Sequence, residues 1–129
     1  MLKPIKGKKI FSQVYQSGKR FYEKDASAIA CFRGKLPESV SNDLITYYAV
    51  VIGKRTEKKA VVRNRIKRLL RESIKLSFKE FEDYNKIFEY LIVGWKTSPG
   101  HPGLIHLKDV EPVVRKLLNK ANNPGFYKA

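Results

Sequence analysis

The sequence predicts an α/β (α+β) fold in which helices pack on one mixed β-sheet. Two segments, residues 44–53 and 87–95, are dense in β-branched and aromatic residues, as buried strands are. A long amphipathic basic segment separates them, and a shorter amphipathic segment lies towards each end of the chain. The 129 residues show no internal repeat or linker, so we expect a single domain, 1–129, with short flexible tails at both ends.

The first third of the chain is predicted to form a helix and then strands. We expect a helix over residues 8–17, closed by Gly18 in the left-handed conformation, because apolar residues recur there at helical spacing: Ile10, Phe11, Val14 and Tyr15. Residues 20–32 alternate or run apolar and predict one or two strands. Residues 34–43 collect turn-forming residue types and predict a loop.

Two further helices flank the second buried strand. The longer one is expected from about residue 57 to 81, with Thr56 as N-cap. After a Gly/Pro loop over 96–108, Asp109 is expected to cap a last helix through residue 121, with Pro112 in its first turn. Four residues of that helix are expected to face the core: Val113, Val114, Leu117 and Leu118.

The charge of the chain points to a polyanionic partner. Lys and Arg number 27 against 12 Asp and Glu, a formal charge of +15, and 11 of the basic residues lie between positions 54 and 79. Cys31 is the only cysteine, which excludes an internal disulfide and a cysteine-based zinc site. The apolar runs are too short to span a membrane, so we expect no membrane association and a cytoplasmic location.

The long basic segment divides into an apolar and a basic side when it is drawn as a helix. One face carries Val62, Ile66, Leu69, Leu70, Ser73 and Ser77. The opposite arc carries Asn64, Lys67, Arg68, Arg71, Lys75 and Lys79, while Arg63 and Arg65 flank the apolar stripe. A solvated surface helix is one interpretation, and a nucleic-acid surface is the other. The scarcity of acidic partners and the predominance of Arg favour the second.

Other functional classes find less support in the sequence. A protein nuclease would need converging carboxylates or histidines, whereas Glu80, Glu82 and Asp83 sit at a helix end and His101 and His106 lie in a loop. No P-loop, GxSxG or HExxH motif occurs. A membrane-surface helix would have to expose the apolar face that the sheet needs. A structural ribosomal protein or general RNA chaperone remains an alternative. Phe11 and Tyr15 fit either core packing or a base-stacking platform.

Residues 60–72, AVVRNRIKRLLRE, resemble the signature of the protein subunit of bacterial ribonuclease P. The preceding strand end, VIGKR, is similar to that family's Val-Ser-Lys-Lys, and Phe11, Tyr15 and Gly18 match its aromatic, aromatic, Gly-basic spacing. The resemblance covers roughly residues 5–121. This chain departs from the pattern in a turn before the helix that is one residue longer, and in lacking an aromatic near Ile29 or Cys31.

The resemblance implies a four-stranded mixed sheet in αβββαβα order, like domain 2 of ribosomal protein S5, with a left-handed βαβ crossover. It also implies that a catalytic RNA with bound Mg²⁺ removes the 5′ leader from precursor tRNA, while the protein holds no metal and needs no other protein. By the same resemblance the leader cleft contains Phe11, Tyr15, Lys54 and Arg55. The residues that contact the catalytic RNA are then Arg63, Asn64, Arg65, Lys67, Arg68 and Arg71.

Overall fold

Helices pack on both faces of a five-stranded sheet in the computed structural model, which describes residues 1–34 and 44–122. The strands are β1 Leu2–Pro4, β2 Lys19–Glu23, β3 Ala26–Phe32, β4 Thr46–Val51 and β5 Phe88–Trp95. The helices are α1 Lys8–Ser17, α2 Ala60–Glu80, the one-turn α3 Tyr84–Ile87 and α4 Leu107–Ala121, with a 3₁₀ turn at Pro102–Leu104. Apart from Gly34, the loop expected over 34–43 lies outside the described residues.

The sheet is mixed, as expected, but it has five strands, so the prediction of four is wrong. Its order is β1-β4-β5-β3-β2, in which β1/β4 and β4/β5 are parallel and the other neighbours antiparallel. The additional strand, Leu2–Pro4, lies in a segment that we expected to be a flexible tail. It pairs with the free edge of β4, with Leu2 opposite Thr46, and so satisfies backbone groups that the edge would otherwise expose.

The two faces of the sheet bury separate apolar clusters. The larger cluster packs α2 and α4 on one face and includes the predicted core residues of both helices, for example Ile66, Leu70 and Leu117. Burying an aliphatic side chain of this size contributes roughly 1.5–3 kcal/mol. On the other face α1 contributes Val14, which packs against Ile29 and Ile92. Because α1 is short, it covers only part of this face.

The helix starts differ from those expected. The α2 helix begins at Ala60 with Lys59 as N-cap, because the N–H groups of Thr56 and Glu57 both donate to the Gly53 carbonyl and form a turn instead. In α4, His106 is the N-cap, and the Asp109 carboxylate accepts from the His106 N–H at 2.9 Å. Pro112 therefore lies inside α4 and not in its first turn.

Gly18 closes α1, although not in the left-handed conformation that we expected. Its φ of −74° suits any residue. What Gly18 supplies is space, because a Cβ there would lie 2.4 Å from Ile29 Cγ2 and 2.8 Å from the Val14 carbonyl oxygen. The glycine thus lets the end of α1 approach β3 closely. Among the described helices, none is long and apolar enough to cross a membrane.

Candidate nucleic-acid interface

The α2 helix presents a basic surface on the side away from the sheet. All six residues predicted for its apolar face are buried, together with Ile74 and Phe78. On the opposite side Asn64, Arg68, Arg71 and Lys75 are exposed and Lys67 is half-buried, and we call these five residues the α2 basic surface. The described residues contain no ion pair to any of its cations. Adjacent unpaired cations repel one another, so this surface is suited to a polyanion.

The flanking residues Arg63 and Arg65 are anchored to backbone carbonyls. Nη1 of Arg63 donates to the carbonyl oxygens of Glu57 at 3.0 Å and Lys58 at 2.7 Å. Nε and Nη2 of Arg65 donate to the Ile105 carbonyl oxygen. A guanidinium has five N–H donors, so each retains donors for an anion. Both arginines therefore order the loops around α2, in addition to any contact with RNA.

Glu57 joins two loops beside α2 and was not among the predicted site residues. One carboxylate oxygen accepts from the Ser98 hydroxyl and the other from the Lys59 N–H. These hydrogen bonds to the charged form lower the pKa of Glu57 below its ordinary value. Glu57 thereby connects the basic turn that carries Lys54 and Arg55 to the loop after β5. Its position as the lone acid within KRTEKK is the sequence feature that singles it out.

A groove with two tyrosines and two cations opens on the α1 face of the sheet. Its volume is about 200 Å³, and we call it the Tyr22 groove. It is lined by Tyr15, Arg20, Tyr22 and Lys96, with Ser27, Ile29, Val51, Ile92 and Gly94. The Arg20 guanidinium carbon lies 4.8 Å from the Tyr15 ring centre, and Lys96 Nζ lies 3.9 Å from that of Tyr22. Tyr15 and Tyr22 remain 45% and 51% exposed.

The strand register explains why these residues meet. Tyr22, Ser27, Gly94 and Val51 occupy one row across β2, β3, β5 and β4. This row lies at the end of the sheet where β4 and β5 terminate, so the residues that follow those strands, including Lys96, come to the same edge. Because β4 and β5 are parallel, the connecting α2 must start at that edge too. The Tyr22 groove and the first turns of α2 therefore share one end of the molecule.

The residues predicted for a leader cleft fall into three environments. Tyr15 lines the Tyr22 groove. Phe11 is half-buried and packs with the Val14 cluster, while its ring stacks on Tyr15 at 6.0 Å. Lys54 and Arg55 are exposed in the turn after β4 and do not line the groove.

Three groove residues, Arg20, Tyr22 and Lys96, were not among the residues predicted for the cleft. The alternation of Arg20 and Tyr22 along β2 places both on one sheet face. That periodicity was available in the sequence, but which helix covers that face was not.

Several of the groups considered for metal or acid–base chemistry have other partners. Glu80 pairs with Arg115 at 3.4 Å, and Asp83 pairs with Lys86 at 3.6 Å. The ring nitrogen Nδ1 of His101 accepts from the Gly103 N–H at 3.0 Å. Within residues 1–34 and 44–122, no three His, Cys, Asp or Glu side chains gather as metal ligands would.

A comparison with protein families matches residues 2–101 to the family Ribonuclease P. The chain belongs to the ribonuclease P protein family. The resemblance found in the sequence is thus confirmed. The ribonuclease P protein component of Synechococcus sp. (strain RCC307) is 34% identical over 74 residues, which cover 54% of this chain and 57% of that protein. That of Rippkaea orientalis is 33% identical over 75 residues, covering 58% and 57%. These alignments therefore span little more than half the length of either relative.

Solved structures show the same fold. The Staphylococcus aureus RNase P protein superposes with a TM-score of 0.64 at 20% identity, covering 92% of this chain and 94% of that one. An S. aureus RNase P protein mutant with defective mRNA degradation activity superposes with a TM-score of 0.65, covering 92% and 87%. At this identity the likeness concerns the fold alone.

Proposed function

We propose that this chain is the RNA-binding protein subunit of a ribonuclease P, which assists a catalytic RNA in removing the 5′ leader from precursor tRNA. The observation that carries the proposal is the α2 basic surface, whose cations have no ion-pair partner among the described residues. Family membership favours this function over a structural ribosomal protein or a general RNA chaperone. We further propose that the protein acts in the cytoplasm.

The α2 basic surface is proposed to bind the catalytic RNA. Arg68 and Arg71 are exposed guanidiniums one turn apart, which suit bidentate contacts to neighbouring phosphates. Each phosphate neutralised releases condensed counterions, so affinity arises largely from charge and falls with salt. Asn64, exposed on the same side, offers both a donor and an acceptor to a sugar or base edge.

The Tyr22 groove is proposed to take unpaired nucleotides of the leader. Exposed tyrosine rings stack on bases regardless of sequence, at roughly 1–3 kcal/mol per base. Arg20 and Lys96 lie over the Tyr15 and Tyr22 rings and supply positive charge for the phosphates. In this arrangement Lys54 and Arg55 extend the path along the same edge towards α2, and Phe11 supports Tyr15 from behind.

The division of labour leaves catalysis to the RNA. Protein cations that neutralise closely packed phosphates reduce the Mg²⁺ that the RNA requires to fold and to hold its substrate. Leader contacts distinguish precursor from mature tRNA, because only the precursor carries the leader. Neither task requires a nucleophile or metal ligand from the protein, and we propose that the Mg²⁺ is held by the RNA subunit.

Substrate affinity of the reconstituted RNA–protein complex tests the groove. Lys96→Gln should weaken precursor tRNA binding severalfold and leave mature tRNA unchanged, because Lys96 lies in the proposed leader path. Tyr22→Ala should weaken precursor binding by about tenfold, with the same selectivity. Lys116→Gln is the matched control, since Lys116 is an exposed lysine on α4 with no ion-pair partner among the described residues. Equal losses for precursor and mature tRNA would contradict leader binding in this groove.

A further inference from the structure

A second groove lies on the α1 face, at the opposite end of the strands from the Tyr22 groove. Its volume is about 510 Å³, and we call it the Tyr47 groove. It is lined by residues of β1, α1, β4 and β5, among them Lys3, Lys6, Ile10, Tyr47 and Tyr90. The two grooves are separated by the buried cluster of Val14, Ile29 and Ile92. A ligand of the Tyr47 groove is therefore separate from one in the Tyr22 groove.

Two stacked tyrosines form the wall of this groove. Tyr47 and Tyr90 are opposite each other on β4 and β5, with ring centres 5.8 Å apart and planes 28° from parallel. Both side chains are half-buried. Within the described part of the chain, neither hydroxyl makes a hydrogen bond, which contrasts with the buried Tyr84 hydroxyl bonded to Asn119. The pair thus offers an aromatic surface and two unused polar groups to the groove.

The charge around the pair is positive on the Tyr47 side. Lys3 lies opposite Tyr47 in the β1–β4 register, and Lys6 follows it along the groove. Both are exposed, and the described residues hold no ion-pair partner for either. The acidic residue Glu89 is next to Tyr90 in β5, and its charge acts on the Cys31 thiol, which lies opposite Tyr90 on β3. An anionic ligand is consequently favoured at the Tyr47 end of the stack.

We propose that the Tyr47 groove is a second nucleotide site, which takes an unpaired base of an RNA strand as an extension of the Tyr90–Tyr47 stack. Lys3 and Lys6 hold the flanking phosphates. A tyrosine platform beside unpaired lysines is the chemistry that binds single-stranded RNA without sequence preference. The inference rests on the proposed function only in taking RNA as the ligand.

Photocrosslinking to the unmodified protein tests the site without any risk to folding. The probe is an oligouridylate of about ten nucleotides that carries iodouridine, which crosslinks to an aromatic ring stacked on it. Crosslinks are expected at Tyr47 as well as at Tyr15 or Tyr22. Crosslinks at Tyr15 or Tyr22 alone would overturn the second site and leave the proposed function standing. Absence of both binding and crosslinks would contradict the two proposals together.

Affinity measurements with variants supply an independent readout. Tyr47→Ala should weaken binding of the same oligonucleotide by about tenfold, whereas Tyr47→Phe, which keeps the ring, should stay within about twofold. Replacing Lys3 and Lys6 together by Gln should lower the slope of log affinity against log salt by about one to two units. Unchanged affinity in Tyr47→Ala, in protein with an unaltered melting temperature, would overturn the site. An equal loss in Tyr47→Phe would overturn the stacking role.

Discussion

Arg65 Nε and Nη2 both donate to the Ile105 carbonyl oxygen, at 3.3 and 3.2 Å. This contact ties the first half of α2 to the segment just before α4, 40 residues further along the chain. The Arg-Asn-Arg motif thus contains an arginine with a structural task, whereas Arg68, one turn on, is exposed and has no ion-pair partner in the described structure. Replacing Arg65 should therefore affect stability, whereas replacing Arg68 should affect RNA binding.

Arg65→Ala should lower the free energy of unfolding by about 1–2 kcal/mol, because the Ile105 carbonyl loses a charged donor. Arg68→Ala should change that free energy by less than about 0.5 kcal/mol. It should instead weaken RNA binding and reduce the log–log salt slope by about one unit. Urea denaturation and binding at several salt concentrations measure the two effects. If Arg68→Ala destabilised the protein as much as Arg65→Ala, the distinction between a structural and an RNA-binding arginine would be wrong.

Glu57→Gln should weaken precursor tRNA binding severalfold, although it removes a negative charge from a basic surface. The reason is that Glu57 connects the turn carrying Lys54 and Arg55 to the loop after β5 through Ser98. If only the net charge mattered, removing the negative charge of Glu57 would strengthen precursor tRNA binding. Glu72→Gln is the matched control, because Glu72 is an exposed acid on α2 whose removal should strengthen binding slightly. Stronger binding by both variants would exclude a positioning role for Glu57.

The lowered pKa of Glu57 has a defined consequence for stability against pH. A carboxyl whose folded pKa lies below its ordinary value of 4.5 stabilises the fold above that pH. This contribution is lost as pH falls through the folded pKa. Glu57→Gln should therefore flatten the acid limb of the unfolding free energy, measured by urea denaturation at several acidic pH values.

Gly18→Ala should destabilise the fold by about 1–3 kcal/mol, because the added methyl group would overlap Ile29 and the Val14 carbonyl. Either α1 or β3 has to move, and Tyr15 on α1 moves with it, so precursor tRNA affinity should also fall. Gly34→Ala is the control, since a Cβ at Gly34 meets no atom of the described residues within 4 Å. Thermal unfolding of the two variants measures the difference. Equal stability of both would show that the space at Gly18 has no importance.

Tyr84→Phe should destabilise the protein at neutral pH by about 1 kcal/mol, since it removes the 2.5 Å hydrogen bond from the Tyr84 hydroxyl to Asn119 Oδ1. Burial raises the pKa of Tyr84 to about 12. Because the folded pKa exceeds the ordinary value of 10.0, the neutral hydroxyl contributes stability below that pH. The contribution is lost as pH rises towards 12, so the difference between the two proteins should shrink over that interval. A constant difference would contradict the raised pKa.

Structural features that depend on local periodicity were predicted correctly from the sequence. The apolar face of α2 was correct at all six positions, because the 3.6-residue repeat alone decides which side is buried. The α1 boundaries were correct for the same reason. The start of α2 was misplaced, because Thr56 is a good cap by residue type but its N–H is used in a turn to Gly53.

Features that depend on distant partners could not be predicted. The three-residue β1 has too few residues for a periodic signal and exists because β4 offers an edge. The anchoring of Arg65 depends on a carbonyl 40 residues away, and the pairing of Lys96 with Tyr22 depends on the order of strands in the sheet. Residue composition identified the basic surface, but only the three-dimensional structure showed which residues form the aromatic groove.

Cleavage of precursor tRNA by a ribonuclease P RNA at low Mg²⁺, with and without this protein, tests the central claim most directly. If the α2 basic surface assists the RNA, the protein should stimulate cleavage strongly at low Mg²⁺ and less at high Mg²⁺, where the RNA needs less help. Combining Arg68→Ala with Arg71→Ala should remove most of that stimulation. No stimulation by the unmodified protein would contradict the proposed function, and cleavage by the protein alone would contradict the assignment of catalysis to the RNA.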